Sequence, residues 1–263
     1  MDSLRRVQHN WEGLAQADPL WSVCTDPGKR NGRWSQQDFF QTGRTEIERV
    51  LAHVQALGVS LDPAARALDF GCGVGRLTSA LATHFAECWG IDIAPRMIQL
   101  AREFHGGNPR CRFFLNQTDN LRNVADEFFG FIYTSIVFQH IPRKYIRRYV
   151  RELVRVLRPG GAFVFQVVER DRTPMLRRLR NRLGIRRMLE RRRGRKGTAA
   201  FFMETHCIRE KEVRRLCAEC RVRLVDVRLT NSTDPDFDGD LRFLPAEPRG
   251  AAVSKLYCVT KPA

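Results

Sequence analysis

The stretch Asp69-Phe70-Gly71-Cys72-Gly73-Val74-Gly75 concentrates the residues best suited to holding a ligand. Three alternate glycines directly after an apolar run let the backbone turn tightly and approach a bound molecule closely. Their amides, with the first amides of a following helix, favour polar or anionic groups. A second apolar run ends in Gly90-Ile91-Asp92, where the carboxylate is placed to accept both hydroxyls of a ribose. Asp69, at the tip of the first run, is placed to orient the turn or the cationic amino group of a ligand. In the dinucleotide fingerprint G-x-G-x-x-G the third glycine falls at position 76, which here is Arg76. The spacing is instead G-x-G-x-G, which argues against a nicotinamide coenzyme. Further on, Phe138-Gln139-His140-Ile141-Pro142 follows a fourth apolar run and lies at the sheet edge where α/β folds bind ligands. His140 is thus the candidate general base, with a structural histidine bonded to a backbone carbonyl as its alternative. His206 and Glu169 read as loop residues near the same edge.

These residues need elements to carry them, and the hydropathy pattern supplies an alternation of short apolar runs and helical stripes. Strands are expected near 66–70, 88–92, 111–115, 129–135 and 161–168, with two more near 221–229 and 252–260. Leu77, Ala80, Leu81 and Phe85 share one helical face; Ile146, Tyr149, Val150, Leu153, Val154 and Leu157 share another. That second helix stops at Arg158-Pro159-Gly160-Gly161, a turn leading into a buried strand. Ahead of the first strand, Ile47, Val50, Leu51, Val54 and Leu57 recur at helical spacing and Gly58 stands at the C-cap. The expected organisation is a helical cap or lid over 1–60 and a sheet domain over 61–263. Within the latter, 170–200 forms a basic insertion in which 13 of the 27 residues from 170 to 196 are Arg or Lys.

Ala67-Leu68-Asp69-Phe70-Gly71-Cys72-Gly73-Val74-Gly75-Arg76 resembles motif I of the class I S-adenosylmethionine methyltransferases. Gly90-Ile91-Asp92-Ile93-Ala94-Pro95 resembles their second motif, and Leu157-Arg158-Pro159-Gly160-Gly161 the start of their fifth strand. The resemblance covers 60–170 in detail. It implies an α/β, Rossmann-like, doubly wound and mostly parallel seven-stranded sheet with a C-terminal antiparallel hairpin strand. It also implies S-adenosyl-L-methionine as cofactor, held by Asp69, Gly71, Cys72, Gly73, Gly75, Asp92 and Ile93. Asn116–Leu121 then lies by the adenine, with Asp119 at the exocyclic amine. Phe129-Gly130 departs from the family's Phe-Asp pattern at this point, since glycine replaces the acid.

Methyl transfer is an in-line displacement that asks a protein mainly for alignment and exclusion of water. The expected activity is therefore O-methylation of a small or medium-sized acceptor, with His140 taking the acceptor's proton. An RNA methyltransferase gripping phosphates through the insertion is one alternative, and a non-catalytic nucleotide-binding module another. The net charge of +16 suits anionic partners without choosing among nucleic acid, membrane surface and acidic molecules. Thr134-Ser135-Ile136-Val137 lacks the Asn-Pro-Pro-aromatic motif of amino-group base methylators, and 170–196 lacks aromatics for stacking bases, so nucleic acid is not favoured. Contact of 170–196 with an anionic membrane surface stays open. No run reaches the length of a membrane span and the N-terminus lacks a signal-peptide core, so a cytoplasmic location and reduced thiols are expected. No metal is expected. Cys217 and Cys220 share the apolar helical face of Val213 and Leu216, and the Asp234–Gly239 mimic of a calcium loop has Pro245 where a bidentate glutamate is required.

Overall fold

The computed structural model describes residues 3–171, 204–248 and 252–263. Three helices lead: α1 (Ser3–Ala17), α2 (Pro19–Val23) and α3 (Gln36–Ala56). The alternation then runs β1 (Arg66–Phe70), α4 (Arg76–Leu81), β2 (Glu87–Asp92), α5 (Pro95–His105), β3 (Cys111–Leu115), β4 (Phe129–Thr134), α6 (Arg143–Val156) and β5 (Leu157–Asp171). After the basic segment come α7 (Glu210–Glu219), β6 (Arg223–Thr230), β7 (Phe243–Leu244) and β8 (Ala252–Thr260). Among the described residues, no helix is long and apolar enough to cross a membrane.

The strands form one sheet in the order β3-β2-β1-β4-β5-β8-β6-β7. β1 to β5 pair in parallel, and β8 enters between β5 and β6 antiparallel to both. The strand count is eight rather than the expected seven. The extra strand is Phe243–Leu244, which pairs with Leu229 and Thr230 at the sheet edge. Two residues are too short a run to register as alternation. The basic insertion expected over 170–200 lies outside the described residues except at its start, where Arg170 and Asp171 still belong to β5 and pair with β8.

Helices cover both faces, as burial of a parallel sheet demands. Alternate residues of β4 show the two layers: Ile132 packs with Leu68, Phe163 and the apolar stripes of α6 and α7. Phe131 and Tyr133 pack on the other side with α3 and α4, among Ile47, Val50, Val54, Leu77 and Leu81. α3 is thus part of the sheet's own core, whereas α1 and α2 lie over the C-terminal ends of the strands. α3 closes at Leu57 with Gly58 following at φ 75°, the left-handed position the sequence assigned to that glycine.

A single ion pair ties α3 to the first turn of α4. Arg76 donates to Glu46 at 2.7 Å and to the Thr42 hydroxyl at 3.2 Å, while the Tyr133 hydroxyl donates to the second Glu46 oxygen at 2.7 Å. Gly43 makes this approach possible, because a Cβ there would come within 2.4 Å of the Arg76 carbonyl. Burial works against the Arg76 charge, but Glu46, with Cys24 and Tyr133, outweighs it and leaves the guanidinium above its ordinary pKa. Gly130 also has a packing reason. A Cβ there would meet Ala65 at 2.6 Å and Arg158 at 2.9 Å, and Arg158 pairs with Asp62 at 2.8 Å.

Candidate active site

The glycine turn leaves β1 in a left-handed zigzag, with φ of 81° at Gly71, 52° at Gly73 and 86° at Gly75. Each glycine also meets a neighbour that leaves no room for a side chain. A Cβ on Gly71 would lie 2.3 Å from Val137, one on Gly73 2.6 Å from Val23 of α2, and one on Gly75 2.8 Å from His105. Four amides of the turn are spent within the protein. Gly71 and Cys72 donate to the Ile91 carbonyl, Gly73 to Asp92 at 2.9 Å, and Gly75 to the Cys72 carbonyl. This corrects the expectation that those amides serve the ligand: the turn offers close approach, and its donors fix β2 against β1.

A partly open cavity lies above Gly71 and Gly73. Asp92, Ile93 and Asn116 line one side, and Ser135, Ile136 and Val137, the turn after β4, line another. Tyr149 of α6 lies below, and the roof comes from Leu4, Val7 and Trp11 of α1 with Ser22 and Val23 of α2. Asp92 accepts the Gly73 N–H on one oxygen and the Ala94 N–H on the other, each at 2.9 Å, and the Ile93 amide bonds to it as well. Three donors leave the two oxygens with room for a further one. Burial pushes this carboxyl above the ordinary aspartate range despite those bonds. Asn116 is fixed by its own donation to the Asn120 carbonyl at 3.1 Å, and the Tyr149 hydroxyl by donation to the Thr118 carbonyl at 2.5 Å. Desolvation raises the Tyr149 phenol, so it stays protonated.

Other residues singled out by the sequence stand elsewhere. Asp69 is 1% exposed, outside the cavity lining, and accepts from the Thr78 hydroxyl at 2.7 Å. Cys72 is buried behind the turn, its thiol raised by desolvation. Gly75 faces α5 and β3. Asp119 pairs with Arg148 of α6 and does not line the cavity. His140 lines a smaller cavity with Arg6, Asn10 and Glu204, and Trp11 borders both spaces. Its Nδ1 lies 2.9 Å from the Glu204 carbonyl, which can only accept, so Nδ1 carries the proton. Nε2 therefore accepts from the Gln139 amide at 3.2 Å. Burial lowers its pKa to about 4, and the Trp11 ring sits edge-on at 5.2 Å.

Sequence reasoning missed Tyr149, which it counted only as part of an apolar stripe; it expected a helical cap over 1–60 without singling out Leu4, Val7 and Trp11 of α1. Leu4, Val7 and Trp11 recur three and four residues apart, a signal for a buried helical face there, though not for what that face covers.

Residues 68–165, from β1 through β5, match the family described as Methyltransferase domain. This segment is a methyltransferase domain. Over 120 residues it is 35% identical to a malonyl-[acyl-carrier protein] O-methyltransferase of Methylococcus capsulatus, covering 45% of this chain and 42% of that protein. Over 165 residues it is 30% identical to a 2-methyl-6-phytyl-1,4-hydroquinone methyltransferase of Synechocystis, covering 62% and 50%. The chain thus spans half or less of the length of these curated relatives. Among solved structures, magnesium protoporphyrin IX methyltransferase of Synechocystis, with bound SAH, superposes with a TM-score of 0.61 at 16% identity. That superposition covers 99% of this chain and 100% of the other, so the shared fold extends beyond the matched family segment. The methyltransferase domain proper holds the glycine turn, Asp92, Asn116 and Tyr149. The roof helices α1 and α2 precede it.

Proposed function

We propose that this chain binds S-adenosyl-L-methionine in the cavity above Gly71 and Gly73 and transfers its methyl group to a small or medium-sized acceptor, at oxygen. The observation that carries the reading is the Asp92 carboxylate, pinned by the backbone amides of Gly73, Ile93 and Ala94 and still able to accept a further donor, at the wall of a mostly apolar cavity. Such a group suits the paired hydroxyls of a ribose, and Gly71 and Gly73 leave the floor bare where a side chain would fill it. When bound, the cofactor supplies a methyl group on a sulfonium sulfur, already activated for displacement.

The chain's part is alignment and exclusion of water. Ile93 and Met97 flank Asp92, and Leu4, Val7 and Trp11 close the top, so an acceptor meets mostly apolar walls. This favours a compact acceptor over a polymer. Of the relatives named above, one acts on a malonyl group carried by a protein and the other on a hydroquinone; the hydroquinone supports a compact acceptor, and the malonyl enzyme supports transfer to oxygen. We read α1 and α2 as the lid of the acceptor side. His140 serves in this reading as a neutral support for Trp11, because its Nε2 is engaged and Trp11 stands between it and the main cavity. Asp119 acts through Arg148, tying the 116–121 loop to α6.

The test is calorimetric titration with S-adenosylmethionine and S-adenosylhomocysteine. Micromolar binding is expected, and Asp92→Ala should weaken it by about 1–3 kcal/mol through loss of a charged acceptor. Unchanged affinity in the folded variant removes Asp92 from the site. No binding by the wild-type protein overturns the cofactor reading.

A further inference from the structure

Ile136 has a φ of 60°, a left-handed conformation that a β-branched side chain adopts only under strain. It lies in the turn that follows β4, with its side chain on the cavity wall. Its neighbour Val137 occupies the space that a Cβ on Gly71 would need. The turn therefore rests directly on the glycine floor, and whatever holds Ile136 also sets the height of that floor.

The holder is Gln166 of β5. It is fully buried, lies outside the cavity lining, and sits in a strand whose neighbouring residues Phe163, Val164, Phe165, Val167 and Val168 are apolar. A carboxamide in such a run is costly unless its polar atoms are bonded. Here both donors and the oxygen are. Oε1 accepts the Ile136 N–H at 3.0 Å, and Nε2 donates to Ser254 at 2.6 Å and to Gln139 Oε1 at 3.2 Å. A backbone N–H can only donate, so the orientation of the amide is fixed with its oxygen toward Ile136. For packing β5 against β8 alone, an apolar side chain of equal length would serve.

We propose that Gln166 is a positioning residue for the cofactor site: it holds Ile136 in its strained conformation and thereby keeps Val137 seated above Gly71. The consequence for cofactor binding rests on the reading given under Proposed function. The hold on Ile136 does not.

The test compares Gln166→Met, which keeps the shape and removes both polar atoms, with Gln166→Glu, which keeps an acceptor at the Ile136 amide. Gln166→Met should weaken S-adenosylhomocysteine binding about tenfold, the size of one buried hydrogen bond. It should also speed hydrogen exchange at the Ile136 amide by at least about tenfold. Gln166→Glu should protect the Ile136 amide better than Gln166→Met does, because an acceptor remains there, although its second oxygen faces the Gln139 Oε1 acceptor where the amide donated and the variant should be the less stable for it. Glycine at 136 carries no strain, so in an Ile136→Gly background Gln166→Met should change affinity by less than about threefold. Wild-type affinity together with unchanged Ile136 protection in Gln166→Met overturns the proposal, as does an equal loss in the Ile136→Gly background. Should Gln166→Met fail to fold, Ile136 exchanging in the wild-type protein as fast as an exposed loop amide overturns it as well. If the wild-type protein binds no S-adenosylhomocysteine, the cofactor reading falls, and Ile136 exchange alone decides whether Gln166 holds the turn.

Discussion

Glu46→Ala is expected to lower the free energy of unfolding by about 3–5 kcal/mol, the usual cost of leaving one member of a buried ion pair without its partner. Glu46 is fully buried and its side chain is the shared acceptor of Arg76 and Tyr133. Removing it strands a guanidinium whose remaining side-chain partner is Thr42, and whose Nε already lacks one. The effect should travel to the site, because Arg76 opens α4 directly behind Gly75. The counter-test replaces the whole group. A Glu46→Leu/Arg76→Met/Tyr133→Phe variant removes both charges and the hydroxyl together, and should recover most of the loss, since an apolar substitute for a buried ion pair is often neutral or better. Urea unfolding followed by far-UV circular dichroism measures both variants. A loss below about 1 kcal/mol for Glu46→Ala would mean that water reaches Arg76 and that the pair contributes as little as a surface one.

Arg76 also shows where the sequence was legible and where it was not. Its presence at the third-glycine position of a dinucleotide fingerprint was readable as a departure from that motif. Its partner was not, because Glu46 lies 30 residues upstream on a helix whose apolar face alone was visible in the pattern. The same division runs through the site. Gly71, Gly73 and Asp92 were legible because a left-handed turn and a strand-ending carboxylate are local demands that fix residue type. Asp119 was not, because its orientation is decided by Arg148 on α6. His140 fell at the expected edge of the sheet. Which cavity it faces is decided by Trp11, on a helix at the other end of the chain and outside the segment that resembles the family. The positions of the first five strands along the chain followed from alternation and turn signals, whereas β7 is too short to leave any periodicity. Strain at Ile136 left no trace at all in the sequence, since isoleucine after an apolar strand looks ordinary until its φ is known.

Asp69→Asn is expected to stabilise the protein, and increasingly so as the pH rises. Burial raises the Asp69 carboxyl to about 7, with the Thr78 hydrogen bond and Arg76 only partly opposing it, against ~3.9 in an unfolded chain. Between those values the folded protein holds a proton that the unfolded chain has released. The group therefore costs nothing below about pH 4, and its penalty grows as the pH rises toward 7 and is complete above it. Asparagine cannot ionise, and its Oδ1 can still accept from Thr78. The stability gained by the variant should grow from roughly 1–2 kcal/mol at pH 5 to about 4 kcal/mol at pH 8.5. Urea midpoints of both proteins across that range give the difference, in which every other titrating group cancels to first order. A gain that does not change with pH would mean that Asp69 is ionised throughout. The same variant separates support from contact. Asp69 does not line the cavity, so Asp69→Asn should keep its affinity for S-adenosylhomocysteine to within about threefold, a loss smaller than one hydrogen bond to a charged group would give. A tenfold or greater loss in this more stable protein would put the Asp69 carboxylate in contact with the ligand, which its burial behind the glycine turn argues against.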